Sequence, residues 1–361
     1  MGGPVTIAVT GLHRGDNPQP GASVIRSLRR VYPDLRVVGL SYDPLESGLY
    51  SRDIDRVDSI YLLPFPMKGP EVLLERMLYI HSKEKFQFLI PCLDSELSNF
   101  MTIYPGLQRR GISAILPSRQ AFEWRAKEQL AEFCRRNNFE GPVTYAADDV
   151  AALARHAAEI GYPVYVKGKY YEAFLVYDAV DLAEKFDAIA RIWGLPILVQ
   201  EALFGDEYDF VGVADADGEI AGFCAIRKLL RTNNGKGFGG IVVNDPDIER
   251  TARSIIKTLR WTGPFEIEFL KMPKRRHLLF EINPRFPAWV DFPAQIGCNL
   301  PVRLLEMLLG TAATKLEPCG AGQMFVRHSL DLVGDIAELA KLSCDGEYVA
   351  GPLAQIPEAV K

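Results

Sequence analysis

Short apolar runs alternate with helix-length segments through the first third of the chain. Val5–Thr10, Arg36–Ser41, Phe88–Pro91 and Ile112–Leu116 predict strands, while Ala22–Val31, Pro70–Ser82 and Ser95–Arg110 predict helices. Alternation of this kind implies a mostly parallel sheet with crossover helices, placed at residues 1–117 and closing at Pro117 and Ser118. Ser118 then predicts the cap of a helix reaching Asn137, and Asp148–Ile160 a second helix stopped by Gly161. Strand patterns dominate afterwards, at Pro163–Lys167, Phe174–Tyr177, Ile197–Gln200, Tyr208–Ala214, Ile220–Lys228, Phe265–Lys271 and His277–Asn283. Residues 118–310 therefore read as an α+β region with an antiparallel sheet, and residues 311–361 as a less patterned extension packed on the rest.

Two of these runs, Phe265–Lys271 and His277–Asn283, are joined by a short polar connection and predict a hairpin. A turn centred on Pro273 and Lys274 sets Glu268 opposite Glu281, Glu266 opposite Asn283 and Leu270 opposite Leu279. The other face, Phe265, Ile267 and Phe269 against Phe280 and Ile282, is uniformly apolar, and a one-residue slip would scramble both faces. Two carboxylates directly opposite each other cost stability unless a cation lies between them. The donors at hand are Glu268, Glu281 and the Asn283 carbonyl, all oxygen, which selects Mg²⁺ or Mn²⁺ over zinc. The alternative is a solvated polar face whose glutamates point apart.

Composition narrows the classes. With 48% hydrophobic and 24% charged positions the chain is an ordinary globular one, so disorder is excluded. The 41 Lys and Arg against 46 Asp and Glu give a net charge of −5, without the footprint of a nucleic-acid or anionic-membrane partner. No run is long enough to span a bilayer, and the N-terminus carries no secretory pattern, so a cytoplasmic protein is expected. The six cysteines are scattered without redox or zinc spacing and read as reduced thiols.

A magnesium ion held by few carboxylates takes its other ligands from phosphates, so cations are expected nearby. Lys127, Lys167 at a strand end, and Arg285 directly after the hairpin are the candidates, each of which alone reads as a solvated cation. The loop Gly11–Gly21 after the first strand is where open α/β sheets bind ligands, though its glycines do not match dinucleotide spacing.

Taken together, Lys127, the run Gly161–Lys167, Val199–Glu207, Glu268 and Glu281-Ile-Asn-Pro-Arg285 resemble the ATP-grasp superfamily. The preceding segment, with Pro91-Cys-Leu-Asp-Ser-Glu-Leu97, is similar to the Rossmann-like pre-ATP-grasp domain of the carbamoyl-phosphate-synthase-like branch. The resemblance implies a two-lobed grasp domain, with a small lobe at about 118–200 and a large lobe at about 201–310. It implies that Lys127 and Lys167 contact the phosphates of ATP, that Gln200, Glu201, Ala202 and Leu203 form the strand reading adenine, and that Glu207 accepts the ribose hydroxyls. Glu268, Glu281 and Asn283 would hold Mg²⁺ or Mn²⁺, and Arg285 would meet the transferred phosphoryl group. Where the family carries a glycine-rich flap, this chain has Gly168-Lys-Tyr-Tyr-Glu172, with Lys169 as a replacement phosphate contact. The later loop Gly235–Gly240 reads either as a flexible connection or as a second cover, with Arg227, Lys228 or Arg231 binding an anionic group.

The expected activity is a carboxylate-amine ligase that activates a small acid, an amino acid or peptide-like, as an acyl phosphate for attack by an amine. A bicarbonate, carbamate or non-amine variant of that chemistry, and a catalytically weak nucleotide-binding scaffold, are the alternatives. A homodimer is expected by resemblance alone.

Overall fold

The structure, a computed structural model, describes residues 5–13, 18–168, 173–232, 235, 237–273, 277–311, 316–329 and 331–349. It opens with β1 (Thr6–Val9), α1 (Gly21–Arg29), β2 (Arg36–Ser41), β3 (Ser59–Leu62), α2 (Pro70–Glu84), β4 (Phe88–Ile90) and α3 (Asp94–Gln108). The four strands pair in parallel in the order β3-β2-β1-β4. Successive residues of β1 serve two cores, Ile7 and Val9 on one face and Ala8 on the other. Burial on both faces is what a parallel sheet between helices requires. The Gly11 carbonyl accepts from the Gly21 amide at 2.7 Å. A Cβ at Gly21 would overlap the Thr10 carbonyl oxygen, so only glycine lets α1 start against the end of β1.

The expected strand at Ile112–Leu116 is reduced to one bridge, Ser113 beside Phe88. The Tyr104 hydroxyl takes both backbone groups of Ala114, at 2.6 and 3.1 Å, and so removes them from a ladder. The helix expected from Ser118 is split into α4 (Arg119–Trp124) and α5 (Lys127–Asn137). Ser118 does cap α4, accepting from the Ala121 amide at 3.1 Å. Extended backbone at Ala126 separates the two helices and makes Lys127 the first residue of α5.

A four-stranded antiparallel sheet follows, in the order β5-β8-β6-β7, from β5 (Thr144–Ala147), α6 (Val150–Ile160), β6 (Val164–Lys167), β7 (Ala173–Val176), α7 (Ala179–Trp193) and β8 (Ile197–Glu201). The chain then builds β9 (Asp206–Ala214), β10 (Ile220–Arg231), β11 (Gly237–Val242), α8 (Pro246–Leu259), β12 (Gly263–Lys271), β13 (Leu278–Asn283), α9 (Asp291–Gln295) and α10 (Leu300–Leu309). These strands form an antiparallel sheet in the order β13-β12-β9-β10-β11. Its rear face packs Phe265, Ile267, Phe269 and Ile282 on Ile248, Ala252, Ile255 and Ile256 of α8.

The last described segment adds edges to both large sheets. The strand β14 (Met324–Val326) pairs with β11, while α11 (Ile336–Asp345) leads into β15 (Glu347–Val349), which pairs antiparallel with β3. One apolar cluster runs from Ile7 of β1 through Val24 and Ile25 of α1 and Leu304 of α10 to Val211 of β9. Among the described residues no helix is long and apolar enough to cross a membrane.

Candidate active site

Four adjacent strands place charged side chains on one face. Alternation along β9 puts Glu207 and Asp209 there, β12 adds Glu266 and Glu268, β13 adds Glu281 and Asn283, and β10 adds Lys228. The hairpin register is Glu268 opposite Glu281 and Glu266 opposite Asn283, as the alternation predicts. Beyond Glu268 it differs, because a bulge sets Phe269 opposite Leu279 and Leu270 opposite Leu278. Leu279 therefore takes the core position expected for Phe280, and the Phe280 ring lies on the polar side, 4.8 Å from the Lys167 ammonium.

Lys228 is the cation among these carboxylates. Its Nζ donates to Glu268 Oε2 at 2.7 Å and lies 3.1 Å from Asp209 and 3.4 Å from Glu207, with the side chain only 2% exposed. Burial would lower its pKa, but Asp209 and Glu268 override that and raise it well above the ordinary lysine value. Burial would raise Glu268, and Lys228 instead holds it below the carboxylate range. For Glu266 the cations Arg285 and Lys228 do not prevail, and burial followed by repulsion from Glu268 pushes it up to about 7. Glu281 is raised by the same two causes. The Asn283 amide donates to Glu266 Oε2 at 3.0 Å and Glu268 Oε1 at 3.1 Å, which leaves its carbonyl oxygen to face another partner. Arg285 donates from Nε to Asp94 Oδ1 at 2.9 Å and from Nη1 to the Phe286 carbonyl at 3.1 Å, with Glu266 at 3.4 Å.

Across a cleft stand Lys127 and Lys167, with Thr144, Gln200, Phe280 and Glu281 also on its walls. In β6 the alternation buries Val164 and Val166 and turns Lys167 into the cleft. Lys167 Nζ donates to Gln200 Oε1 at 2.6 Å, and Gln200 Nε2 donates to Thr144 Oγ1 at 2.9 Å. Burial, and then the like charge of Lys127, lower the Lys167 pKa to about 8. Glu201 is tied to the neighbouring segment, since its amide donates to the Val143 carbonyl at 2.8 Å. That amide is thus spent within the sheet, whereas Ala202 and Leu203 follow β8 in the link to β9.

Not every expected residue arrives at the site. Arg227 lies on the opposite side of β10 from Lys228 and pairs with Asp206 at 2.8 Å, because successive strand residues face opposite ways. Lys228 does reach the site, but it is engaged by carboxylates rather than open to an anion. Glu207 is shared between Lys228 and Arg231. Lys169, with Tyr170 and Tyr171 of the short flap, lies outside the described residues, as do part of the Gly11–Gly21 loop and Lys236 of the Gly235–Gly240 loop.

The donor set suits a hard divalent ion. Glu268, Glu281 and the Asn283 carbonyl are all oxygen donors on one face. Among the described residues no three carboxylate, cysteine or histidine groups are gathered closely enough to hold a metal unaided.

No protein-family model matches the chain, and no curated protein matches it. Solved structures do. The biotin carboxylase domain of Hydrogenobacter thermophilus 2-oxoglutarate carboxylase, a dimer in complex with MgADP, ADP and bicarbonate, is 16% identical; the match covers 88% of this chain and 73% of that one, with a TM-score of 0.67. Staphylococcus aureus N5-carboxyaminoimidazole synthetase is 15% identical over 88% of this chain and 80% of its own, with a TM-score of 0.64. The L-amino acid ligase of Bacillus licheniformis is 14% identical over 84% and 74%, with a TM-score of 0.62. The fold is the ATP-grasp fold.

In this chain of ATP-grasp fold the sequence reading placed Glu266 on the polar face without giving it a role, and it did not single out Asp209. Alternation from Glu207 gave the signal for Asp209, and pairing with Asn283 gave the signal for Glu266.

Proposed function

We propose that the chain is an ATP- and Mg²⁺-dependent ligase that activates a small carboxylic acid as an acyl phosphate for attack by an amine. The observation that carries this reading is one cleft with Lys127 and Lys167 on one wall and Glu281 on the other. Phosphoryl transfer needs positioning and charge neutralisation rather than a protein nucleophile, and this arrangement offers both. Lys127 and Lys167 bind the phosphates, the link at Ala202 and Leu203 lies against adenine, and Glu207 accepts from the ribose hydroxyls. Glu268, Glu281 and Asn283 hold Mg²⁺, which when bound neutralises charge on the transferred group. Arg285 orients the acid and the γ-phosphoryl group. An acid oxygen attacks the γ-phosphorus, ADP leaves, and the amine then displaces phosphate from the acyl carbon.

The same reading divides the chain into a pre-ATP-grasp domain at 1–117, a grasp domain at 118–310 and an extension, and it includes a homodimer, as the biotin carboxylase neighbour forms. Bicarbonate in place of an amino acid is the variant that the same neighbour's ligand favours. Calorimetric titration with ATP, with and without Mg²⁺ and with GTP as control, tests the nucleotide site. Magnesium-dependent, ATP-selective binding is expected. ADP release across a panel of acids and amines, bicarbonate included, then separates the variants. Glu281→Gln is expected to abolish that release, and activity surviving the change would sink the mechanism.

A further inference from the structure

The break between α4 and α5 delivers Arg125 to the place where the first domain meets the carboxylate face. Its guanidinium lies 4.1 Å from the centre of the Phe122 ring, and its Nη1 reaches Asp94 Oδ2 at 3.3 Å. Arg285 takes the other oxygen of the same carboxylate, Nε to Oδ1 at 2.9 Å. Asp94 thus bridges two guanidiniums, one oxygen to each, from the first turn of the 15-residue helix α3. The Arg125 and Arg285 side chains are 17% and 16% exposed and Asp94 is 34% exposed, so the bridge borders open space on the Asp94 side.

Arg125 is not fully satisfied by this contact. Its Nε is buried without a hydrogen-bond partner among the described residues, and an unpaired buried donor carries the whole cost of its lost hydration. Guanidinium recognises carboxylate and phosphate through two parallel N–H bonds, and here one donor is engaged at long range and the inner one is vacant. Arg125 also feels the charge of Glu281 on the carboxylate face, which places it near the residues proposed to hold the metal.

We propose that Arg125 and Arg285 form a two-guanidinium subsite for the carboxylate of the acid substrate, and that the Asp94 carboxylate occupies it until that anion arrives. This deepens the ligase reading and rests on it for the identity of the anion as substrate. Arg125 is then a binding residue for the acid and not for the nucleotide. Asp94 acts as an internal competitor, which sets a threshold on acid affinity and discriminates against neutral compounds.

Inorganic phosphate, which presents two oxygens as a carboxylate does, is the probe, titrated calorimetrically into the full chain and its variants with MgATP binding measured in parallel. The wild type is expected to bind phosphate, and Arg125→Met to weaken it about tenfold or more while MgATP binding stays within about twofold. Arg125→Lys should not restore the affinity, since a point charge lacks the fork. Asp94→Asn should strengthen phosphate binding severalfold by removing the competitor. Wild-type-like phosphate affinity in Arg125→Met, especially with binding lost in Lys167→Met, would assign the anion to the lysine wall and overturn the proposal. Equal loss of phosphate and MgATP in Arg125→Met would also overturn it. If Arg125→Met does not fold, Asp94→Asn decides, and unchanged or weaker binding refutes the subsite. A wild type that binds phosphate in this pattern but not MgATP would refute the ligase reading and leave the subsite standing.

Discussion

Two lysines face the site from opposite walls and are held in opposite ways. Lys228 lies among Glu207, Asp209 and Glu268, and Asp209 and Glu268 raise its pKa. Lys167 has Gln200, aromatic rings and the like charge of Lys127 around it, and its pKa falls to about 8. One ammonium is compensated inside the protein, and the other awaits compensation from outside. On the proposed reading the lysine wall takes the anionic ligand, whereas on the carboxylate wall Lys228 must loosen its hold on Glu268 when a divalent ion binds.

The sharpest way to break this comparison is to make the same substitution on both walls. Lys228→Met strands buried carboxylates and is expected to destabilise the protein by about 3–5 kcal/mol, the cost of breaking a buried ion pair. Mg²⁺ should restore more stability to this variant than to the wild type. Denaturant unfolding with and without Mg²⁺ checks both, and an unchanged midpoint would remove Lys228 from its role. Lys167→Met should have the opposite sign. It removes a poorly compensated charge, so the unliganded protein gains about 1–2 kcal/mol while MgATP binds about ten- to a hundredfold more weakly. A variant destabilised as much as Lys228→Met would show that Lys167 is structural.

Titration sharpens the same contrast. The folded-state pKa of Lys167 is depressed, so its contribution to stability is complete above the ordinary value of 10.5 and is lost as pH falls through about 8. A bound polyanion favours the charged ammonium and raises that pKa. MgATP binding near pH 8 should then take up a fraction of a proton, visible as a dependence of the binding heat on the buffer's ionisation heat. The uptake should vanish at pH 6 and in Lys167→Met. Lys228, already charged, contributes none. Uptake of the same size in Lys167→Met would place the titrating group elsewhere.

The difference between the walls also explains what could be read without the structure. The facing of Glu268 and Glu281 follows from period-two alternation within one hairpin, so a local pattern was enough. Lys167 was legible because a strand of alternating Val164 and Val166 leaves little choice of face. Lys228 was read as an anion binder because its neighbours Glu207 and Asp209 come from β9, and only the β9–β10 pairing decides that carboxylates surround it. Arg125 was invisible for a similar reason, since its importance depends on a helix break and on Asp94, 31 positions earlier. The edge strands β14 and β15 are three residues each and take their hydrogen bonds from β11 and β3, so no pattern of their own marks them.

The smallest expected effect tests the bulge that joins the two walls. The extra residue on β13 moves Phe280 out of the core and under the Lys167 ammonium, at 4.8 Å, while Leu279 fills the rear face. A ring at that distance stabilises a cation by about 0.5–1 kcal/mol and also keeps water from it. In Phe280→Ala both influences disappear, and returning water favours the charged form. The Lys167 pKa should move back toward the ordinary value, so the proton uptake at pH 8 shrinks, while MgATP affinity falls only about two- to fivefold. Stability should change little, because Leu279 and not Phe280 holds the core position. If Phe280→Ala instead unfolds like a core truncation, the ring is packed as the uninterrupted hairpin would have it, and the separation of the two walls by this bulge is wrong.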